Sequence, residues 1–296
     1  MSNQRLLLVA RLALTGCVLT ALLLSSCISQ THQRLVPLLH LPDLFTMPES
    51  AVIDPQQRWI YVSNVNGYAK DSNGFLSRLS LDGSKVDLHW LEGLHSPTGM
   101  AIYNDRLFVA DFDALVEVNL QTGQITARYP APDTNPALND VAVSPAGEVY
   151  VSGSASNSIY VLQHNGLVLW LHDDEYLLQA NGLLIEENRL IHGGRFWTVF
   201  DRDSKAVLLE QTDVFGNSEQ FRDFDGITAD GCGGYLFTLI DDGRIWQLGA
   251  GGDTQSLSDF HVNGIDLFQV DGLLAVPRVL DSFSLYEFPH KECNFS

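Results

Sequence analysis

A chain of 296 residues with 45% hydrophobic residues and a formal net charge of −19 is long enough to bury one large core and acidic enough to repel phosphate backbones and anionic lipid. No basic run offers an electrostatic footprint, so nucleic acid is excluded as a partner. The first 26 residues hold Arg5 and Arg11 and no acid, which leaves 15 bases against 36 acids in the remainder.

That N-terminal stretch reads as a targeting segment. Arg5 and Arg11 form a positive n-region and Leu12 to Leu24 an apolar h-region, shorter than the ~20 residues of a membrane span. Leu24-Ser25-Ser26-Cys27 matches the bacterial lipobox, which predicts cleavage before Cys27 and lipidation of its thiol; an ordinary secretory signal is the alternative. With Ile28 and Ser29 following, the expected location is the bacterial cell envelope, lipid-anchored at the periplasmic face of the outer membrane. The predicted organisation is a signal peptide over 1–26, a short tether over 27–33 and one folded domain over 34–296. Two cysteines, Cys232 and Cys293, remain in that domain; in an oxidising compartment they either pair or stay as buried thiols.

From residue 34 onward apolar residues alternate with period two, and no long 3.6-residue pattern appears, which predicts an all-β chain. Blade-like units of four strands follow one another. The first covers Ser50 to Leu91 with a turn at Asp82-Gly83, the second Met100 to Tyr129 with a turn at Thr122-Gly123, and the third ends in a hairpin at Asn165-Gly166. Leu190 to Gly193 and Tyr235 to Ile240 are the second strands of units four and five. A sixth unit, with Gly264 to Phe268 as its first strand, runs out one strand short, and Arg34 to Leu41 is the segment available to complete it. The prediction is a six-bladed β-propeller of four-stranded antiparallel blades, closed by an N-terminal strand.

Each unit opens on a polar residue followed by small or apolar ones: Glu49, Thr98, Asn139, Asn181, Asp225 and, in a looser copy, Asn263. Their spacing of about forty residues is that of propeller repeats. In such a fold these positions converge at one end of the central axis. Glu49, Asn139, Asn181 and Asp225 would then form an all-oxygen set of charge −2, suited to a divalent hard cation; calcium is expected first, with magnesium or manganese as alternatives.

The stretches Pro48-Glu49-Ser50, Leu138-Asn139-Asp140, Ala180-Asn181-Gly182-Leu183 and Phe224-Asp225-Gly226 resemble the senescence-marker-protein/gluconolactonase group of six-bladed propellers, which includes regucalcin and is more distantly related to paraoxonases. The resemblance spans about Pro48 to Phe288. It implies that Glu49, Asn181 and Asp225 bind a divalent metal, that Asn139 contacts its water or the substrate, and that Asp225 is also the general base. Two positions depart from the relatives: Ala137 stands where gluconolactonase-like members carry arginine, and Thr98 where paraoxonases carry histidine. The long connection Val65 to Asn73 is expected to overhang the metal end, with Tyr68, Thr98 and Asn139 as substrate contacts. His192 ends a strand of unit four, facing either the mouth or the core. Asp111-Phe112-Asp113 and Asp201-Arg202-Asp203 lack the later glycine of a calcium loop. The expected activity is metal-dependent hydrolysis of a small lactone or ester by a monomer; the alternative is a non-catalytic envelope propeller that keeps a structural ion and binds a sugar or protein.

Overall fold

The computed structural model describes residues 35–56, 58–164, 166–258, 266–280 and 282–288. A first strand, β1 (Val36–Leu41), precedes the blades. Blade one holds β2 (Pro48–Ile53), β3 (Ile60–Asn64), β4 (Gly74–Leu79) and β5 (Val86–Leu94). Blade two holds β6 (Pro97–Tyr103), β7 (Arg106–Asp111), β8 (Ala114–Asn119) and β9 (Gln124–Pro130). Blade three holds β10 (Leu138–Val143), β11 (Val149–Gly153), β12 (Ser158–Gln163) and β13 (Gly166–His172). Blade four holds β14 (Leu183–Glu186), β15 (Arg189–His192), β16 (Thr198–Asp201) and β17 (Val207–Glu210). After a short helix α1 (Gln211–Phe215), blade five holds β18 (Phe224–Ala229), β19 (Tyr235–Leu239), β20 (Ile245–Leu248) and β21 (Thr254–Ser256). Blade six holds β22 (Phe268–Val270), β23 (Leu273–Arg278) and β24 (Ser282–Glu287).

Each blade is an antiparallel sheet whose strands pair in chain order, except the sixth, whose order is β1-β24-β23-β22. The strand that completes blade six is therefore the one expected from the start of the chain: Val36 lies opposite Glu287 and Leu41 opposite Phe283. Pro37, which has no N–H to donate, is tolerated because β1 is an edge strand, and the register shift between Pro37 and Leu39 blunts that edge. Blade six begins later than expected, at Phe268, and Val262 to Ile265 of its leading stretch, Asn263 included, lie outside the described residues.

The first strands touch in a closed ring, β2-β6-β10-β14-β18-β22 and back to β2. Burial follows position in the sheet. Every residue of β2 is buried, whereas the outermost strand β9 alternates between exposed and half-buried, as expected of a sheet with one solvated face. Among the described residues, six apolar clusters fill the six junctions between neighbouring blades. The junction of blades six and one includes Phe283 and Leu285 against Ala51 and Ile53, with Leu39 and Leu41 of β1 packed on it, so the closing strand is held by side chains as well as by its ladder.

The junction of blades four and five is aromatic. Trp197, 1% exposed, meets Phe224 edge-on at 5.5 Å and Phe237 at 5.8 Å, and Phe215 from α1 stacks on Phe221 at 4.5 Å. Such pairs contribute about 0.5–1.5 kcal/mol each beyond their buried area. They anchor the long connection leading into β18, and so fix the backbone that carries Asp225. A five-residue helix is too short to declare itself by periodicity, and α1 was not expected from the sequence.

Candidate functional site

The site is built from one backbone device repeated around the ring. In blade one Pro48 pairs with Asn64 and Ala51 with Val62, so two residues of β2, Glu49 and Ser50, oppose the single residue Ser63. The same shift places Thr98-Gly99 opposite Ala110, Asn139-Asp140 opposite Ser152, and Asp225-Gly226 opposite Thr238. A bulge of this kind re-aims side chains next to a functional site. In blades one, three and five its unpaired N–H is capped by the opposing hydroxyl: Ser50 N donates to Ser63 Oγ at 2.9 Å, Asp140 N to Ser152 Oγ at 2.9 Å, and Gly226 N to Thr238 Oγ1 at 3.0 Å. Two residues before each of Glu49, Asn139, Asn181 and Asp225 the chain turns through a left-handed residue that is not glycine: Met47 (φ 48°), Ala137 (φ 45°), Gln179 (φ 54°) and Asp223 (φ 50°). Each such residue costs of order 1–2 kcal/mol and persists only where the surroundings impose it.

These turns bring the predicted ligands together. Glu49, Asn181 and Asp225 are only 6%, 8% and 6% exposed. Glu49 lies within electrostatic reach of Asp225, and the Asn181 amide hydrogen-bonds to the Asp225 carboxylate. Glu49 Oε2 and Asn181 Oδ1 are buried with no hydrogen-bond partner among the described residues. Two orphaned acceptor oxygens beside a buried carboxylate are a poor end state for a folded protein, because an unmet buried acceptor costs ~1–3 kcal/mol. They are what a hard divalent cation takes, so the residues present fit such an ion. Among the described residues no three His, Cys, Asp or Glu side chains are gathered tightly enough to hold a metal, so the candidate set depends on the Asn181 amide.

Two further carboxylates, missed in the sequence, share the axis. Asp140 Oδ1 accepts from its neighbour Val141 N at 2.7 Å while its Oδ2 reaches blade four and accepts from Leu183 N at 2.7 Å. Asp266 does the same in blade six, with Oδ1 accepting from Leu267 N at 2.8 Å and Oδ2 from Ser50 Oγ of blade one at 2.6 Å. Burial, then the charges of Asp225, Asp266 and Asp140, hold the Glu49 carboxyl well above its ordinary range. Burial and Asp266 raise Asp140 despite its two backbone donors. Asp225 is pushed up to about 7, by burial and then by Asp266, and Asp266 to about 6, chiefly by burial. Among the described residues, no lysine, arginine or histidine is one of the groups that act most strongly on these four carboxyls.

The remaining predicted residues divide. Asn139, half-buried, occupies the register position of Glu49 and Asp225. Tyr68 does overhang this end: its hydroxyl pKa is raised by desolvation and by the charges of Glu49 and Asp225, although the side chain is 63% exposed. Its loop is tied to blade two by the Lys70–Asp113 ion pair and by Ser72 on His95 Nδ1 at 3.2 Å. Thr98 departs from the expected role. It is 3% exposed and its hydroxyl is directed to backbone, within 3.1 Å of Leu138 O, so it joins blades two and three and offers no free donor to a substrate.

His192 turns to the core and not to the mouth. It pairs with Leu183 at the register held by Val62, Val109, Val151 and Phe237 in other blades, and is fully buried with neither ring nitrogen partnered among the described residues. Desolvation lowers its pKa to about 3. Asp111 accepts from the His95 and Ser96 amides and pairs with Arg128, and Asp201 caps its own turn through Ser204, so neither aspartate run forms a cation loop. Cys27 and Cys293 lie outside the described residues; Cys232 is disulfide-bonded. A groove of about 460 Å³ lined by Val36, Pro37, His40, Arg278 and Tyr286 lies along β1 and β24 and shares no residue with the site.

No curated protein matches the chain. Among solved structures, a gluconolactonase from Xanthomonas campestris superposes with a TM-score of 0.66 at 18% identity, covering 86% of this chain and 89% of its own. A putative gluconolactonase gives 0.65 at 16% identity, covering 86% and 92%. Virginiamycin B lyase from Staphylococcus aureus gives 0.61 at 10% identity, covering 85% and 99%. At these identities the likeness is one of fold, and the fold carries both a lactonase and a lyase. The sequence itself is more specific: the model of the SMP-30/Gluconolactonase/LRE-like region matches residues 47–260, and the chain belongs to that family.

Proposed function

We propose that the protein is a divalent-cation-dependent hydrolase of lactones or related esters, with Glu49, Asn181 and Asp225 as the cation's protein ligands. The observation that carries this reading is the pair of buried, unpartnered oxygens, Glu49 Oε2 and Asn181 Oδ1, beside the Asp225 carboxylate. Family membership supports a lactonase-like chemistry. When bound, the cation, calcium in the first instance, supplies Lewis-acid polarisation of the substrate carbonyl. The chain's own residues supply the rest. Asp225, oriented by the Asn181 amide, takes the proton of the attacking water; Asn139, half-open at the same register, orients that water or the substrate; Tyr68 covers the entrance. The test is a panel of lactones and aryl esters assayed with calcium, manganese and chelator. Turnover that needs cation supports the reading, and no turnover of any member under any condition contradicts it.

The near-complete burial of Glu49, Asn181 and Asp225 favours a second reading, in which the ion is structural and the propeller binds without reacting. Cation-dependent stability without hydrolysis would select it. We further propose, from the lipobox, that the mature chain is anchored at Cys27 in the bacterial envelope. Cys27→Ser should then move it from the membrane fraction to the soluble or unprocessed one, and unchanged fractionation with no lipid on the mature N-terminus would remove the anchor.

A further inference from the structure

The large hydrophobic side chains that remain exposed fall into two groups among the described residues. Val36, Leu38, Val86, Val168, Leu169, Leu208 and Leu209 lie on the outermost strands β1, β5, β13 and β17. The other four, Tyr68, Phe196, Ile240 and Leu280, lie in connections between the second and third strands of blades one, four, five and six. Register places all four at one end. Asn64, where β3 ends, pairs with Pro48 beside Glu49; His192 pairs with Leu183, next but one to Asn181; and Ile240 N bonds to Asp223 O at 3.0 Å, beside Asp225. In blade six, Phe268 opposite Ala275 sends the β23–β24 turn to the same end. Phe112, half-buried, takes the equivalent place in blade two, where Pro97 pairs with Asp111. The connections at the opposite end carry no exposed large hydrophobic residue among the described residues.

Five of the six such connections at the end that holds the buried polar site thus carry a large apolar side chain, while that of blade three, Ser154 to Asn157, is polar; exposed apolar side chains gathered at one end mark a ligand surface. Several polar groups of the same loops are occupied with one another. Lys70 pairs with Asp113, Arg195 holds both Asp223 oxygens at 2.6 and 2.5 Å, and Asn66 Nδ2 donates to Asn73 O at 3.0 Å. A polyhydroxylated ring entering here would surrender its water without receiving a matching set of donors and acceptors, whereas an alkyl or aryl chain loses nothing. Resting on the hydrolase reading above, we infer that the substrate is a lactone or ester bearing a bulky apolar substituent, which lies across Tyr68, Phe112, Phe196, Ile240 and Leu280 while the carbonyl descends to Asp225.

The test compares kcat/KM for unsubstituted γ-butyrolactone, γ-lactones of increasing alkyl length and glucono-lactone, on the wild-type chain and on a Phe196→Ser/Ile240→Ser/Leu280→Ser variant, with thermal melting to confirm that these exposed loop changes leave the fold intact. The expected result is a rise of between about two- and fourfold per methylene, the upper value being that of a fully buried CH₂ at about 0.8 kcal/mol. The long-to-short ratio should collapse in the variant and recover in part in Phe196→Leu/Ile240→Ser/Leu280→Ser. A flat chain-length profile, or glucono-lactone as the best substrate, overturns the inference while leaving the hydrolase standing. If no ester or lactone is turned over, calorimetric binding of a non-hydrolysable N-alkyl lactam decides: affinity that grows with chain length and falls in the variant keeps the apolar ligand and discards the hydrolase, and no binding discards both. A variant that loses only co-sedimentation with phosphatidylcholine vesicles, with lactone selectivity unchanged, assigns the rim to a membrane and overturns the inference.

Discussion

The two ends of this propeller are made by the same strands yet obey different rules. At the end away from the site, turns are short and polar, left-handed residues such as Asn104, Glu187 and Asp271 sit in hairpins, and no large apolar side chain is exposed among the described residues. At the site end, four non-glycine left-handed residues precede the polar positions, bulges interrupt the inner ladders, three buried carboxyls and the half-buried Asp266 interact, and the neighbouring loops carry exposed apolar side chains. One end follows local turn preference. The other departs from it at several positions at once, and such concentrated departures mark a functional site.

Changes at the site end break that contrast most strongly. Asp225→Asn keeps an amide oxygen for the cation but cannot take a proton, so hydrolysis should fall by roughly 10²-fold or more with cation binding partly retained, as turnover and calorimetry measured side by side will show. Normal turnover in this variant would remove Asp225 as the base. Gly182→Ala comes next. A Cβ there would overlap the Asp225 carbonyl oxygen of the adjoining blade, so the change should cost about 2–3 kcal/mol in denaturant unfolding as well as displacing Asp225.

A smaller effect sharpens the difference between core and mouth. His192 has a folded pKa of about 3 against 6.5 when free, so protons bind the unfolded chain preferentially. Its contribution is fully present above pH 6.5 and is lost as pH falls towards 3, about 2 kcal/mol by pH 5. The raised site carboxyls act in the opposite sense, because they bind protons more readily in the folded chain; a comparison of unfolding free energies for wild type and His192→Val between pH 5 and 7 cancels them. The variant should lose the acid-side slope, and an unchanged slope would place the ring in a polar setting. Last, Ala137→Gly relieves a left-handed alanine at φ 45° and should stabilise the fold by about 1 kcal/mol while lowering turnover, since the backbone that aims Asn139 is freed. Lower stability would mean that the turn is not strained.

Much of the architecture was legible in the sequence, because a period of about forty residues with matched turns leaves few alternatives. The closing strand could be named from an absence, since blade six lacked a partner for β24. Glu49, Asn139, Asn181 and Asp225 stood out because each leads its repeat, and the resemblance to the gluconolactonase group implied Glu49, Asn181 and Asp225 as the ligands. Asp140 and Asp266 did not stand out. In a regular strand the residue after an inward-facing one points away, so Asp140 behind Asn139 reads as outward; the bulge lets neighbouring residues both approach the axis. The one signal shared by these two aspartates was an acid close behind the leading polar residue, one place after Asn139 and three after Asn263, followed by a β-branched or leucine residue whose amide it caps. Thr98 departs from the expected substrate contact for the converse reason: its position in the repeat was right, but a hydroxyl close to a neighbouring carbonyl is set by packing that no spacing records, and the same packing turns His192 to the core, the one of its two open readings that holds.

The most direct test of the central claim is a calorimetric titration of calcium into cation-free protein at neutral pH, run in parallel on wild type and on Glu49→Gln. The account predicts one divalent ion per chain with affinity reduced at least tenfold in Glu49→Gln, because the charge that faces Asp225 and Asn181 is then lost. Absence of binding of any divalent cation by the wild type, or equal affinity in the two proteins, would contradict it.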